Sequence, residues 1–257
     1  MTRDVVEVWE IDLDDPRWPA GRMWEALPAA ERARVARHDP RARRRRAVGR
    51  GAARMVLAAE EGTTPARLRV RRSPFGKPEL EGARGPGALR FSLSRSGGTA
   101  LLALARGRRV GVDLEALRAL ADPLALAGRM FTAAETEALG ALPPAARHVA
   151  VLRGWTRSEA YLKARGDGLH RAAGLALRPE GARPARVVAA DGVPPEGDWR
   201  VADLAVAGHL GAVAAEGGGW EVRHRRLDPP GPDVATGVRL ESGSTNPATR
   251  AILPATE

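Results

Sequence analysis

Apolar positions in this chain fall in short blocks whose period alternates between two and about 3.6, and the changes divide it into elements. Residues 5–13 are rich in β-branched side chains with partial alternation and predict a strand. Leu27-Pro28-Ala29-Ala30-Glu31 predicts a helix start, with proline in the first turn and an acid near the positive end of the dipole. Asp39-Pro40 interrupts the pattern, a second helix is expected over about 41–61, and Gly62-Thr63-Thr64-Pro65 ends it. Residues 68–72 predict a short strand and 73–78 a turn. Residues 89–94 and 100–105 are apolar strands joined across Gly97-Gly98, the pattern of a hairpin.

The second half repeats this order. Residues 110–114 predict a strand, and Phe131-Thr132-Ala133-Ala134-Glu135 opens a helix as Leu27-Pro28-Ala29-Ala30-Glu31 does. A longer helix is expected around 155–165, stopping at Gly166-Asp167-Gly168. Residues 199–217 overlay 89–107 without a gap, with Gly208 standing where Gly98 does. The repetition predicts an α+β fold of two pseudo-symmetric halves, 1–107 and 108–228, with a ligand cleft between them. From Pro229 the chain is rich in Pro, Gly, Ser and Thr, and 229–257 is expected to be a mostly disordered tail.

Composition narrows the function classes. The absence of cysteine excludes disulfides, thiolate zinc sites and cysteine nucleophiles. No apolar run is long enough to span a bilayer, and the acidic opening residues do not resemble a secretory signal, so a soluble cytoplasmic protein with no membrane partner is expected. A net charge of +10 calls for an anionic partner. Residues 41–46 carry five arginines and suggest nucleic acid, but aromatics are only 4% and none is interleaved with the arginines for base stacking. The run is therefore expected to be a solvated helix face, with no nucleic-acid partner. Of the 41 Lys and Arg residues only Lys77 and Lys163 are lysine, which hints that these positions need a compact ammonium.

Three motifs could carry chemistry. In Gly111-Val112-Asp113-Leu114-Glu115 a strand puts both carboxylates on one face; they suit an oxygen-bound Mg²⁺ site or, equally, an ordinary solvent-facing edge. Glu159 and Lys163 share a helix face at i, i+4 in Trp155-Thr156-Arg157-Ser158-Glu159-Ala160-Tyr161-Leu162-Lys163-Ala164. They could complete a metal site and face a phosphate, or form a surface pair contributing about 0.3–0.5 kcal/mol. Gly76-Lys77-Pro78, with Phe91-Ser92-Leu93-Ser94-Arg95-Ser96 after it, could cradle a diphosphate or be a loop with a solvated lysine.

Taken in order, these motifs resemble the Sfp-type 4′-phosphopantetheinyl transferases, from the opening strand to about Gly217. Arg54, Arg72 through Lys77-Pro78, and Phe131-Thr132-Ala133-Ala134-Glu135 add to the resemblance. It implies that Asp113, Glu115 and Glu159 hold Mg²⁺ against the diphosphate of coenzyme A. It further implies that Arg54, Arg72, Lys77, Ser94, Arg95, Asp113 and Lys163 line the coenzyme, and that Glu159 and Lys163 are catalytic. The activity implied is transfer of 4′-phosphopantetheine to a serine of an acidic apo carrier protein, by an enzyme expected to be a monomer. The family carries histidine at the position of Arg95 and lysine at that of Ser158. Those departures also admit a relative that binds coenzyme A or a carrier without full catalysis.

Overall fold

The computed structural model describes residues 4–83, 85–166, 175–176, 185–186, 188–189 and 197–230. The expected tail from Pro229 lies outside the described residues beyond position 230. Strand β1 (Val5–Asp12) is followed by short helices α1 (Ala20–Glu25) and α2 (Ala29–Ala36) and by the long helix α3 (Pro40–Glu60). Asp39 and Pro40 separate α2 from α3, as the sequence pattern indicates, and start α3. The Asp39 carboxylate accepts from the Ala42 amide at 3.0 Å, and Pro40 occupies the first turn, where its missing N–H costs nothing. A two-stranded ribbon, β2 (Val70–Arg72) and β3 (Pro78–Leu80), leads to the hairpin β4 (Leu89–Ser96) and β5 (Thr99–Arg106).

The second half runs β6 (Val110–Ala116), α4 (Pro123–Ala127), α5 (Ala133–Gly140) and α6 (Pro144–Arg165). The strand fragments β7 (Leu175–Ala176), β8 (Ala185–Arg186) and β9 (Val188–Ala189) follow, then the hairpin β10 (Trp199–Val206) and β11 (His209–Glu216), and finally β12 (Glu221–Arg226). Helix α5 opens with a full capping box between Thr132 and Glu135. Helix α6 starts at Pro144, well before the expected 155. Gly154 does not break it: a Cβ there would lie 2.4 Å from the Phe131 ring, so this glycine is a packing notch.

Two four-stranded sheets result, in the orders β12-β1-β5-β4 and β6-β11-β10-β8. They stack with helices outside, which explains why the strands read as apolar runs rather than clean alternations. Val6, Val8, Leu101 and Ala103 face Val112, Leu114, Leu204 and Val213 of the other sheet. On the far side of the first sheet, Trp9, Ile11, Leu102 and Leu104 pack with Val48, Ala52 and Val56 of α3. On the far side of the second, Trp199, Val201, Ala212 and Ala214 pack with Ala160, Tyr161 and Ala164 of α6.

Strand β12 has no apolar pattern to announce it. It joins the first sheet, parallel to β1, through charge matching: Arg223 lies 3.6 Å from Glu7, His224 3.3 Å from Glu10 and Arg226 3.5 Å from Asp12. Arg225 rests over the Trp9 ring. No helix among the described residues is long and apolar enough to cross a membrane.

Candidate functional site

Strand β6 is the outer strand of its sheet, so its outward N–H groups need partners from elsewhere. Strand β4 supplies them. Its alternate residues Ser92, Ser94 and Ser96 share one face. The Ser92 hydroxyl accepts from the Val112 amide at 3.1 Å, and that of Ser96 from the Ala116 amide at 3.0 Å. Between them, the Ser94 hydroxyl donates to Asp113 Oδ1 at 2.8 Å. The two sheets are thus stitched edge to edge, with Asp113 in the seam.

Helix α6 closes the seam. Its backbone rides directly on Gly111, where a Cβ would fall 2.1 Å from the Ala160 carbonyl oxygen and 2.2 Å from the Ala164 nitrogen. That close approach brings Lys163 Nζ to 2.5 Å from Asp113 Oδ1 and 3.1 Å from Ser94 Oγ. Glu159, one turn earlier, is also buried. Asp113 Oδ2 and Glu159 Oε1 are buried and make no hydrogen bond among the described residues.

The electrostatics follow from this crowding. Burial pushes the Glu159 carboxyl above its ordinary value; Lys163 opposes the shift, while Asp113 and Glu115 reinforce it. Glu115 is raised by burial first and by Asp113 second, against Arg118, Lys163 and a hydrogen bond from Trp155. Three carboxylates that repel one another in a half-dry seam, two with an unpartnered oxygen, fit a hard oxygen-seeking cation. Among the described residues no three acids or histidines already converge as a metal cluster, and the Lys163 ammonium occupies Asp113.

Other residues singled out in the sequence lie in three places. Arg95, one residue beyond Ser94, joins Arg41, Arg45 and Arg46 of the first turns of α3 around a shallow pocket of about 300 Å³, which Asp39 and Gly97 also line. Burial pulls the Arg95 guanidinium below its ordinary value, and Arg46, Arg50 and Arg45 pull it further. Arg46 is lowered by burial and by Arg50. Positive groups crowd at a helix N-terminus, with an acid partner given to Arg41 and Arg45 by Asp14, an arrangement whose charge would attract an anion.

Residues 41–46 are therefore not the uniformly solvated face expected. Arg44 turns inward to the Leu13 and Asp15 carbonyls at 2.6 and 2.9 Å, and Arg45 and Arg46 face the pocket. The pairing of this run with Arg95 has no local sequence signal, because the two segments meet only in the folded chain.

Arg54 and Lys77 are engaged by backbone. Buried Arg54 donates to the Pro65 and Leu68 carbonyls at 2.8 and 2.6 Å, with Glu31 3.8 Å away. Lys77 Nζ lies 3.0 Å from both the Val110 and Ala164 carbonyls. Arg72 is exposed and donates to the Gly76 carbonyl at 2.7 Å. Ser158 is fully buried, and its hydroxyl has no hydrogen-bond partner among the described residues. Neighbouring Arg157 is drawn to β10, where it binds Asp203 through two bonds of 2.8 and 2.7 Å.

Comparison with known proteins places this seam in context. Residues 109–201, which include β6, α6 and all three carboxylates, match the family model of the 4′-phosphopantetheinyl transferase superfamily. The 4′-phosphopantetheinyl transferase HetI of Nostoc sp. is 34% identical over 86% of this chain and 92% of its own length. The L-aminoadipate-semialdehyde dehydrogenase-phosphopantetheinyl transferase of Eremothecium gossypii is 36% identical over 56% of this chain and 52% of its own. Similarity of this degree over nearly the whole of one relative means that the chain belongs to the 4′-phosphopantetheinyl transferase superfamily.

Proposed function

We propose that this protein is an Sfp-type enzyme that transfers 4′-phosphopantetheine from coenzyme A to a serine hydroxyl of an apo carrier protein. The observation that carries the reading is the seam itself, where Asp113, Ser94 and Lys163 are in contact and Asp113 and Glu159 keep unpartnered buried oxygens. The arginine pocket beside it supplies what the phosphates of the donor require, and arginine at position 95 can hold a phosphate through two parallel bonds. The recurrence of a three-strand order, β1-β5-β4 and β6-β11-β10, supports two pseudo-symmetric halves, 1–107 and 108–228, with the coenzyme between them, while β12 crosses back to complete the first sheet. One chain then supplies both sides of the site, which suits a cytosolic monomer.

In this reading the carrier serine oxygen forms a bond to the β-phosphorus of coenzyme A as the bond from that phosphorus to the bridging oxygen breaks. The products are the phosphopantetheinyl carrier and 3′,5′-ADP. Glu159, whose raised carboxyl is better matched to a hydroxyl proton than an ordinary glutamate, accepts that proton. Lys163, steered by Asp113 and Ser94, faces the negative charge that collects on the departing phosphate. Asp113, Glu115 and Glu159 would hold Mg²⁺, which when bound neutralises charge on the diphosphate. Exposed arginines on α2, at its C-cap and on α3, Arg34, Arg37 and Arg43 among them, give an acidic carrier a complementary surface.

The test is incubation with coenzyme A and a panel of apo carriers, with and without Mg²⁺, followed by mass spectrometry of the carrier. A Mg²⁺-dependent gain of one phosphopantetheine, lost in Glu159→Gln, is expected. Coenzyme A binding without transfer to any carrier would instead mark a binding-only relative, with Arg95 and Ser158 as its marks.

A further inference from the structure

The first of the two lysines, Lys77, does something the transfer reaction does not itself explain. It lies in the turn between β2 and β3, which Ser73 closes: the Ser73 amide donates to the Lys77 carbonyl at 2.8 Å, and the Lys77 amide donates to the Ser73 hydroxyl at 3.1 Å. From this anchored backbone the side chain crosses to the second half. Its stem passes Gly166, the left-handed residue that ends α6, where a Cβ would lie 3.4 Å from Lys77 Cδ. Its ammonium then meets two carbonyls, that of Val110 at the start of β6 and that of Ala164 in the last turn of α6, each at 3.0 Å.

Both acceptors matter for the site. The last four carbonyls of a helix have no partner within it and carry its negative dipole end, so a cation there is doubly favoured. Val110 lies three residues before Asp113, and Ala164 directly follows Lys163. Between the two clamped points lies Gly111, where the backbones of β6 and α6 touch. A compact ammonium with three rotatable donors can bond two carbonyls that converge on one point.

We infer that Lys77 is a positioning residue: its ammonium clamps the end of α6 onto the start of β6 and thereby holds Lys163 against Asp113, rather than binding a phosphate of the donor. The kinetic part of this inference rests on the transferase reading; the clamp does not.

The experiment compares wild type, Lys77→Met and Lys77→Arg as full chains, by hydrogen exchange and by steady-state transfer with coenzyme A varied. Lys77→Met should speed exchange in residues 110–113 and 160–166 and lower kcat by about 10- to 100-fold. Its KM for coenzyme A should stay within about threefold of wild type, since the lost interaction is not with the donor. Lys77→Arg, which keeps charged donors at the carbonyls, should restore most of the protection and part of kcat. A KM for coenzyme A raised about tenfold or more at unchanged kcat would make Lys77 a phosphate ligand and overturn the inference. Unchanged exchange in both segments would also overturn it. If wild type modifies no carrier, the transfer reading fails while the exchange measurement still decides the clamp. Should Lys77→Met not fold, Lys77→Gln, which keeps donors without charge, serves the same comparison.

Discussion

Replacing Gly111 by alanine adds one methyl group at the tightest point of the structure. Gly111 has no left-handed backbone angle, so alanine suits its conformation and the effect is steric alone. The new Cβ would sit 2.1 Å from the Ala160 carbonyl oxygen, 2.2 Å from the Ala164 nitrogen and 2.8 Å from the Lys163 carbonyl carbon. All three are helix backbone and cannot turn aside as a side chain would. Ordinary contact is about 3.5 Å, so α6 must retreat by roughly 3.5 − 2.1, or 1.4 Å, at this point. Overpacking of this kind costs about 1–3 kcal/mol, and a clash with backbone on one side belongs at the upper end. A loss of about 3 kcal/mol lowers Tm by roughly 6–12 °C in a chain of this size. The same retreat carries Lys163 out of hydrogen-bond reach of Asp113, and transfer should fall by about 100-fold. Thermal unfolding and carrier modification measure the two effects. Gly21→Ala, with nothing within 4 Å of the added Cβ, is the control and should raise stability slightly. A Gly111→Ala protein that melts within about 2 °C of wild type and transfers normally would refute the close-packed seam.

Lys163→Met leaves Asp113 buried without its cation and should cost about 2 kcal/mol, less than a fully buried pair because Lys163 is a third exposed. Mg²⁺ should recover part of the lost Tm, and a melting curve indifferent to Mg²⁺ would count against the carboxylates as its ligands. Ser92→Ala strands the Val112 amide inside the seam and should cost about 1–3 kcal/mol by denaturant unfolding, with a smaller loss for the more exposed Ser96→Ala. Equal and negligible losses would show that water replaces the hydroxyls. Glu10 is held below its ordinary 4.5 by the hydrogen bond from His224, against burial, with the charges of His224, Arg226 and His209 assisting. A depressed folded value means that its contribution is present above about pH 4.5 and disappears as pH falls through that folded value. Wild type should therefore lose more Tm than Glu10→Gln on acidification from about pH 5 to about pH 3; parallel curves would remove the pair from the account of acid stability.

What the sequence discloses depends on whether a feature is local. The hairpins are legible because strands buried on both faces make apolar runs bounded by Gly97-Gly98 and Gly208. The first half of α6 is not, because Gly154 looks like a break until Phe131 is seen to fill the notch. Strand β12 is invisible to any period, since Arg223, His224, Arg225 and Arg226 alternate with nothing; its pairing is set by acids of β1 more than 200 residues earlier. In the site, strand and helix spacing puts Asp113 with Glu115 and Glu159 with Lys163 on shared faces but leaves an ordinary edge and a surface pair equally open, and the family resemblance decides between the readings. The serine stitches and the arginine pocket do not, because each is made by two segments that meet only after folding. Its turn and charge make Lys77 a candidate diphosphate contact and the family resemblance alone adds Arg54; neither signal can show that carbonyl oxygens hold both.

The seam and the pocket also explain each other. Stability alone would not bury Asp113 and Glu159 beside half-buried Glu115, since a well-packed apolar substitute is often as stable as a buried charge pair. Lys163 relieves Asp113 only in part, and Glu115 and Glu159 remain above their ordinary values. One residue along β4, the polarity reverses and arginines crowd without enough acids to match them. Each cluster is unfavourable by itself, and in the proposed reading each would be relieved by a different component of one ligand: a divalent cation for the carboxylates, phosphate oxygens for the arginines. A metal-bound diphosphate carries both. The adjacency of Ser94, facing Asp113, and Arg95, facing the pocket, sets the two complementary charges side by side on a single strand.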